Sequence, residues 1–152
     1  MDTRDLDYEE HFFDLIIDKS TMDALLCGDQ SFLNVAIMTK EIQRVLKIGG
    51  IYLIISYGQP ENRIPHLERE HLSFEIQIYT IKKENCEEQE TEKIHYVYVC
   101  KEKPNADEAA KNFTTIYNEL EKQEMDEYII YGKSLVFSCT IDDGTNEKRS
   151  VL

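Results

Sequence analysis

The chain is defined first by what it lacks. No apolar run in its 152 residues reaches the roughly 18 residues that suggest a membrane span, so no membrane partner is expected. The opening stretch, Met1-Asp2-Thr3-Arg4-Asp5-Leu6-Asp7, is acidic and has no apolar core of the kind a signal peptide needs. A cytoplasmic setting is the expectation. The four histidines, at 11, 66, 71 and 95, form no HxxxH or HExxH pattern. The four cysteines, at 27, 86, 100 and 139, include no closely spaced pair, which excludes a zinc knuckle or a redox CxxC motif. No metal site and reduced thiols are expected. Positive charge is scarce: 17 Lys and Arg stand against 30 Asp and Glu, a formal net charge of -13. Such a field repels phosphate and argues against nucleic-acid binding, while a basic protein would be attracted. The acid is uneven, with five glutamates between Glu84 and Glu92. No internal repeat is present.

What is present fits one soluble α/β domain. The length is enough for a hydrophobic core, and 41% hydrophobic with 31% charged residues is ordinary for a globular chain. Residues Phe12–Asp18 form a short, nearly continuous apolar run, the pattern of a parallel strand buried on both faces. Over Ser31–Leu46, Val35, Met38, Ile42 and Val45 recur at helical spacing. Ser31 is a candidate N-cap, and Lys47 with Gly49-Gly50 supplies a stop. Ile51–Ser56 is a second apolar strand. Strand, helix and strand make a βαβ unit with a right-handed crossover. Leu72–Ile81 and Ile94–Cys100 alternate and predict an antiparallel hairpin around a charged loop at 82–93. Asn105–Met125 reads as a helix, Tyr128–Ile141 as two short strands, and 142–152 as a polar tail.

One feature of this pattern is physically incomplete. A doubly buried parallel strand needs a neighbour on each side and cover on both faces. Phe12–Asp18 has one parallel neighbour, Ile51–Ser56, and only an acidic stub before it. Its other edge is expected to be bare, which invites pairing with another chain. A homodimer through Phe12–Asp18 is one expectation; cover by the Tyr128–Ile141 segment is another.

The string Phe13-Asp14-Leu15-Ile16-Ile17-Asp18-Lys19-Ser20-Thr21-Met22-Asp23-Ala24-Leu25-Leu26 is similar to the "FDVVIDKGTLDALL" signature of methyltransferase-like proteins that include the elongation-factor lysine methyltransferases. Glu41–Tyr52 resembles the "EVxRVLKPGGxY" stretch of class I, S-adenosylmethionine-dependent methyltransferases. Ser56-Tyr57-Gly58-Gln59-Pro60 resembles the loop after their fifth strand, and the hairpin resembles their last two strands. The resemblance covers residues 1–103. It implies the C-terminal part of a Rossmann-like methyltransferase sheet, with parallel strands, a crossover helix and a terminal antiparallel hairpin. Residues 104–152 are an extension carrying a C-terminal helix. Such enzymes open with a GxGxG turn that lets the backbone approach the cofactor. Here the six glycines, at 28, 49, 50, 58, 132 and 144, form no GxG. Met1-Asp2-Thr3-Arg4-Asp5-Leu6 matches a "Met-Asp-x-Arg-x-Leu" segment internal to the family, so the chain is expected to be N-terminally truncated and weak or inactive alone.

The resemblance also assigns site residues. S-adenosylmethionine is the implied cofactor. Asp2 matches the position whose carboxylate accepts from the adenine amino group, and Thr3 lies against the adenine by its backbone. Asp18 ends a parallel strand, where open α/β sheets bind ligands. By likeness it sits near the methionine part of the cofactor and the incoming nucleophile, where a carboxylate orients an amine and takes up its proton. The bottom-up alternative is that Asp18 is a helix cap or turn residue. Lys19 joins the cofactor set. Ser20, which stands where the family usually has glycine, and Tyr57 are placed on the substrate side of the same rim. Asp23 reads as an ordinary helix or turn residue. The implied reaction is methyl transfer, with a protein lysine as the implied acceptor. The alternatives are a non-catalytic assembly module and a small-molecule methyltransferase, which would favour apolar residues around Tyr57 and His66.

Overall fold

The computed structural model describes residues 2–82 and 94–131, with backbone alone for 127–131. Strand β1 (Phe13–Lys19) leads into the short helix α1 (Thr21–Leu26), the long helix α2 (Ser31–Val45) and strand β2 (Leu46–Ser56). A 3-10 turn (Pro60–Asn62) and a one-turn helix α3 (Ile64–Leu67) follow. Strands β3 (Phe74–Lys82) and β4 (Ile94–Glu102) precede helices α4 (Ala106–Ala110) and α5 (Phe113–Tyr131). The sheet order is β1-β2-β4-β3. β1 and β2 are parallel, while β4 runs antiparallel to both its neighbours, β2 and β3. This is the mixed α/β sheet fragment expected, with the predicted strands, crossover helix and hairpin in place.

The details depart from expectation at several points. Ser31 begins α2 but does not cap it; the N-cap is Gln30, in a left-handed conformation with no side-chain capping bond. The glycine pair does not stop that helix. α2 ends at Val45 and passes into β2 at Leu46 with no intervening loop. Gly49 and Gly50 lie inside β2, where Gly49 adopts φ +80. There the register jumps from Phe13↔Leu46 to Leu15↔Ile51, so the extra residues of β2 bulge away from β1. The predicted helix over Asn105–Met125 is two helices broken at Lys111-Asn112, and α5 runs on through Tyr131. Residues 128–131 are therefore helical rather than strand, and the rest of the predicted strand pair, like the 83–93 loop, lies outside the described residues. Cys100 is a free, buried thiol.

Burial separates the two faces of the sheet. Cross-strand rows Ile16–Tyr52–Cys100–Ile76 and Asp18–Ile54–Tyr98–Ile78 share one face. Against it α1 and α2 place Met22, Val35, Met38 and Ile42, closing the main core. Burying each such side chain contributes about 1.5–3 kcal/mol. A second, smaller cluster joins Leu33 and Ala36 of α2 to Ile116 and Leu120 of α5. α5 is thus a further layer lying on α2. The opposite face carries the rows Leu15–Ile51–Lys101, Ile17–Leu53–Val99 and Lys19–Ile55–Val97, and it is mostly apolar. No hydrophobic cluster of the described residues includes these side chains. Leu15 is 49% and Ile17 61% exposed. The apolar run Phe12–Asp18 predicts a strand buried on both faces; among the described residues one of its faces and the β1 edge are open.

Candidate functional site

The site is built at the C-terminal ends of β1 and β2. β1 ends at Lys19, and Ser20 turns the chain with φ 65, a left-handed conformation that glycine takes at least cost. This explains why glycine suits the position and shows that serine holds the same turn. α1 starts at once, and the Asp18 carboxylate faces its first amides. Asp18 Oδ1 accepts from Thr21 N–H at 2.7 Å and Oδ2 from Met22 N–H at 3.2 Å. The Tyr52 hydroxyl donates to Oδ2 at 2.8 Å. Burial, then the Asp18 charge, pushes the Tyr52 phenol well above its ordinary range, so it stays a donor. Asp18 is 5% exposed. The capping role is real, and a carboxylate with about four acceptor positions keeps one beyond the three filled here.

That carboxylate borders a cleft of about 270 Å³ that runs along the open edge of β1 from Phe13 to Asp18 and is also lined by Thr3, Leu6, Met38 and Ile42, while Lys19, Ser20 and Tyr57 do not line it. Thr3 and Asp18, separated by most of β1 in sequence, therefore meet in one concavity. Asp2 does not line it. Its carboxylate accepts from the Arg4 guanidinium at 2.8 and 3.0 Å and from the Arg4 amide at 2.9 Å. The Arg4 side chain, then its amide, lowers Asp2 to about 2. Arg44 and Glu41 anchor this N-terminal segment: Arg44 donates to the Leu6 and Tyr8 carbonyls at 2.8 Å, and Glu41 accepts from Leu6 N–H at 3.3 Å. Lys19 is exposed at the end of β1. Tyr57 is 59% exposed, its ring centroid 4.3 Å from that of His95.

A second carboxylate on the rim went unrecognised in the sequence. Asp23 of α1 accepts from the Ser56 hydroxyl at 2.5 Å, Tyr57 N–H at 3.1 Å, and Arg63 Nε and Nη2 at 3.0 and 2.8 Å. Both partners of the ion pair are well covered, with side chains 17% and 13% exposed. Ser56 Oγ in turn accepts from Gly58 N–H at 2.9 Å, and the Tyr98 hydroxyl donates to the Gly58 carbonyl at 2.6 Å. Asp23 lies 40 residues from Arg63, and no local pattern announces such a pair. His66 is buried against Phe32, where burial lowers it to about 4; it packs rather than lines the rim. The Cys100 thiol, pushed up to about 12 by burial, is no nucleophile. Among the described residues no group of three or more His, Cys, Asp or Glu is placed to hold a metal, and no helix is long and apolar enough to cross a membrane.

No family model matches the chain. It is 35% identical over 75 residues to the mouse "eEF1A lysine and N-terminal methyltransferase", an alignment covering 46% of this chain and 11% of that protein. The human protein of the same name is 33% identical over the same length. Mouse "EEF1A lysine methyltransferase 4" is 28% identical over 88 residues, 53% of this chain and 34% of that protein. Among solved structures, a SAM-dependent methyltransferase from Methanosarcina mazei overlaps 68% of this chain and 65% of its own, with a TM-score of 0.45 and 15% identity. The chain spans 11% to 34% of the length of these sequence relatives, and the similarity is confined to the stretch they share.

Proposed function

We propose that the chain carries the acceptor-side part of an S-adenosylmethionine-dependent methyltransferase, with protein lysine as the methyl acceptor. The observation that supports this most is the convergence of Thr3 and Asp18 on one cleft, with Asp18 buried at the end of a parallel strand. In this reading Thr3, Asp18 and Lys19 border the cofactor, with Asp2 supplying an exposed carboxylate beside them. Ser20 and Tyr57 border the acceptor. The cofactor supplies an electrophilic methyl group when bound. The chain's own residues position the acceptor: Asp18, fixed by Tyr52 and two amides, offers its remaining acceptor position to an amine N–H. The relatives named for eEF1A lysine methylation support lysine over a small molecule, as does the acidic surface. No GxGxG turn contributes, so binding by this chain alone is weak. In a calorimetric titration with S-adenosylhomocysteine, the expected dissociation constant is in the millimolar range, about -4 kcal/mol, and weaker still in Asp18→Ala. Absence of any heat at millimolar ligand would overturn the reading for this chain.

A second reading, an assembly module, is favoured by the open β1 edge and apolar sheet face. A sheet of this kind is stable when both faces are covered. Self-association through β1 is the form proposed, and sedimentation equilibrium tests it: mass rising with concentration supports it, and a monomer throughout excludes it.

A further inference from the structure

Resting on the methyltransferase reading, we infer that Asp23 is a positioning residue that holds Tyr57 on the rim just past the carboxyl end of β2, the acceptor side in that reading. Helix α1 has only six residues, too few to be stable by itself. Two carboxylates fix its first turn. Asp18 caps its first amides, and Asp23 ties its body to the end of β2. Asp23 meets four donors from three residues, Ser56, Tyr57 and Arg63. All four lie in the segment that leaves β2, and one of them is the backbone amide of Tyr57 itself.

The same segment is closed from the other side. Gly58 lies directly beneath the Arg63 guanidinium, where an added Cβ would stand 2.0 Å from Cζ. The Tyr98 hydroxyl holds the Gly58 carbonyl. The Tyr57 side chain is therefore exposed while its backbone is pinned, a pairing that suits a ring presented to a ligand rather than one packed for stability. Its only ring neighbour among the described residues is His95 on β4, and no hydrogen bond joins His95 to Asp23. The position of the Tyr57 ring can thus be read at His95, away from the clamp.

Asn at position 23 has one acceptor oxygen and no charge, so it cannot serve four donors. The test is amide hydrogen exchange and histidine NMR on Asp23→Asn in the full chain. The expected result is Tyr57 N–H exchange faster by about tenfold, the scale of one lost bond to a charged group. The His95 ring protons lose their ring-current displacement, while the amides of Tyr98 and Cys100 keep their protection. Arg63→Gln strips two of the four bonds and is expected to act in the same direction but less, which keeps the test decisive if Asp23→Asn fails to fold. Tyr57 exchange and His95 shifts at wild-type values in both variants would overturn the assignment. So would a uniform loss of protection across β2 and β4 in both, which marks a purely structural ion pair. Neither readout uses cofactor or acceptor, so failure of the S-adenosylhomocysteine titration leaves this result standing on its own.

Discussion

At the scale of single residues, the molecule places two carboxylates of opposite legibility on one rim. Asp18 is marked by its position at the end of an apolar run, so both its functional and its capping readings were visible in the sequence. The structure shows the cap; the chemical role remains the proposal. Asp23 has no such marker, because its partners arrive from the end of β2 and the segment after it, 33 to 40 residues on. Tyr52 looked like one more strand residue, yet it is fully buried and donates to Asp18. Tyr52→Phe removes that donor from a buried carboxylate and is expected to cost about 1–3 kcal/mol, measured by urea unfolding. Buried titratable groups also set the pH response. Burial, and then Asp107, raises Glu102 from 4.5 to about 8, so the folded state holds its proton more tightly than the unfolded chain. That contribution is complete below pH 4.5 and is lost as pH rises towards 8. Burial lowers His66 and His71 from 6.5 to about 4, so their contribution is present above 6.5 and is lost as pH falls. Between pH 6.5 and 8 Glu102 acts without the histidines. The melting temperature should decline across that interval, and Glu102→Gln should remove the decline; an unchanged slope in the variant would assign it elsewhere.

At the scale of elements, sequence pattern located most strands and helices because periodicity follows burial. It misjudged boundaries where a single backbone angle decides. The Gly49-Gly50 pair looked like a helix stop, but α2 ends four residues before Gly49 and the pair shapes a bulge in β2. The two glycines should respond differently to substitution. Gly49 has open space around it and only its positive φ to protect, so Gly49→Ala is expected to cost about 1–2 kcal/mol. A Cβ on Gly50 would lie 2.7 Å from the Lys47 carbonyl oxygen, which is backbone and moves with difficulty. Gly50→Ala should therefore lower the melting temperature more than Gly49→Ala, and the reverse order would contradict this account of the bulge. The break between α4 and α5 was invisible because Lys111 and Asn112 are acceptable helix residues. The Asn112 side chain instead donates to the Glu70 carbonyl, a long-range contact. α5 rests on the smaller cluster, so Leu120→Ala, at about 2–5 kcal/mol, should release α5 amides to exchange before those of β2 and β4.

At the scale of the whole molecule, the structure has β1 at the edge of the described sheet, as the apolar pattern predicts. The sequence did not show that the helices would gather on one face, because both faces of the strands are apolar and nothing in the pattern says which is covered. The open side bears Leu15 and Ile17, and Ile17→Lys is expected to suppress any self-association seen by sedimentation without lowering stability, since the side chain is already largely in water. Net charge of -13 opposes close approach of two copies, so such association should strengthen with salt. In the proposed function the Thr3–Asp18 cleft belongs to a cofactor site. Its most direct test is to map amide chemical shifts during an S-adenosylhomocysteine titration. The account predicts weak, saturable shifts concentrated at Thr3, Asp18 and Lys19, diminished in Asp18→Ala; saturable shifts centred elsewhere, or none at these residues at millimolar ligand, would contradict it.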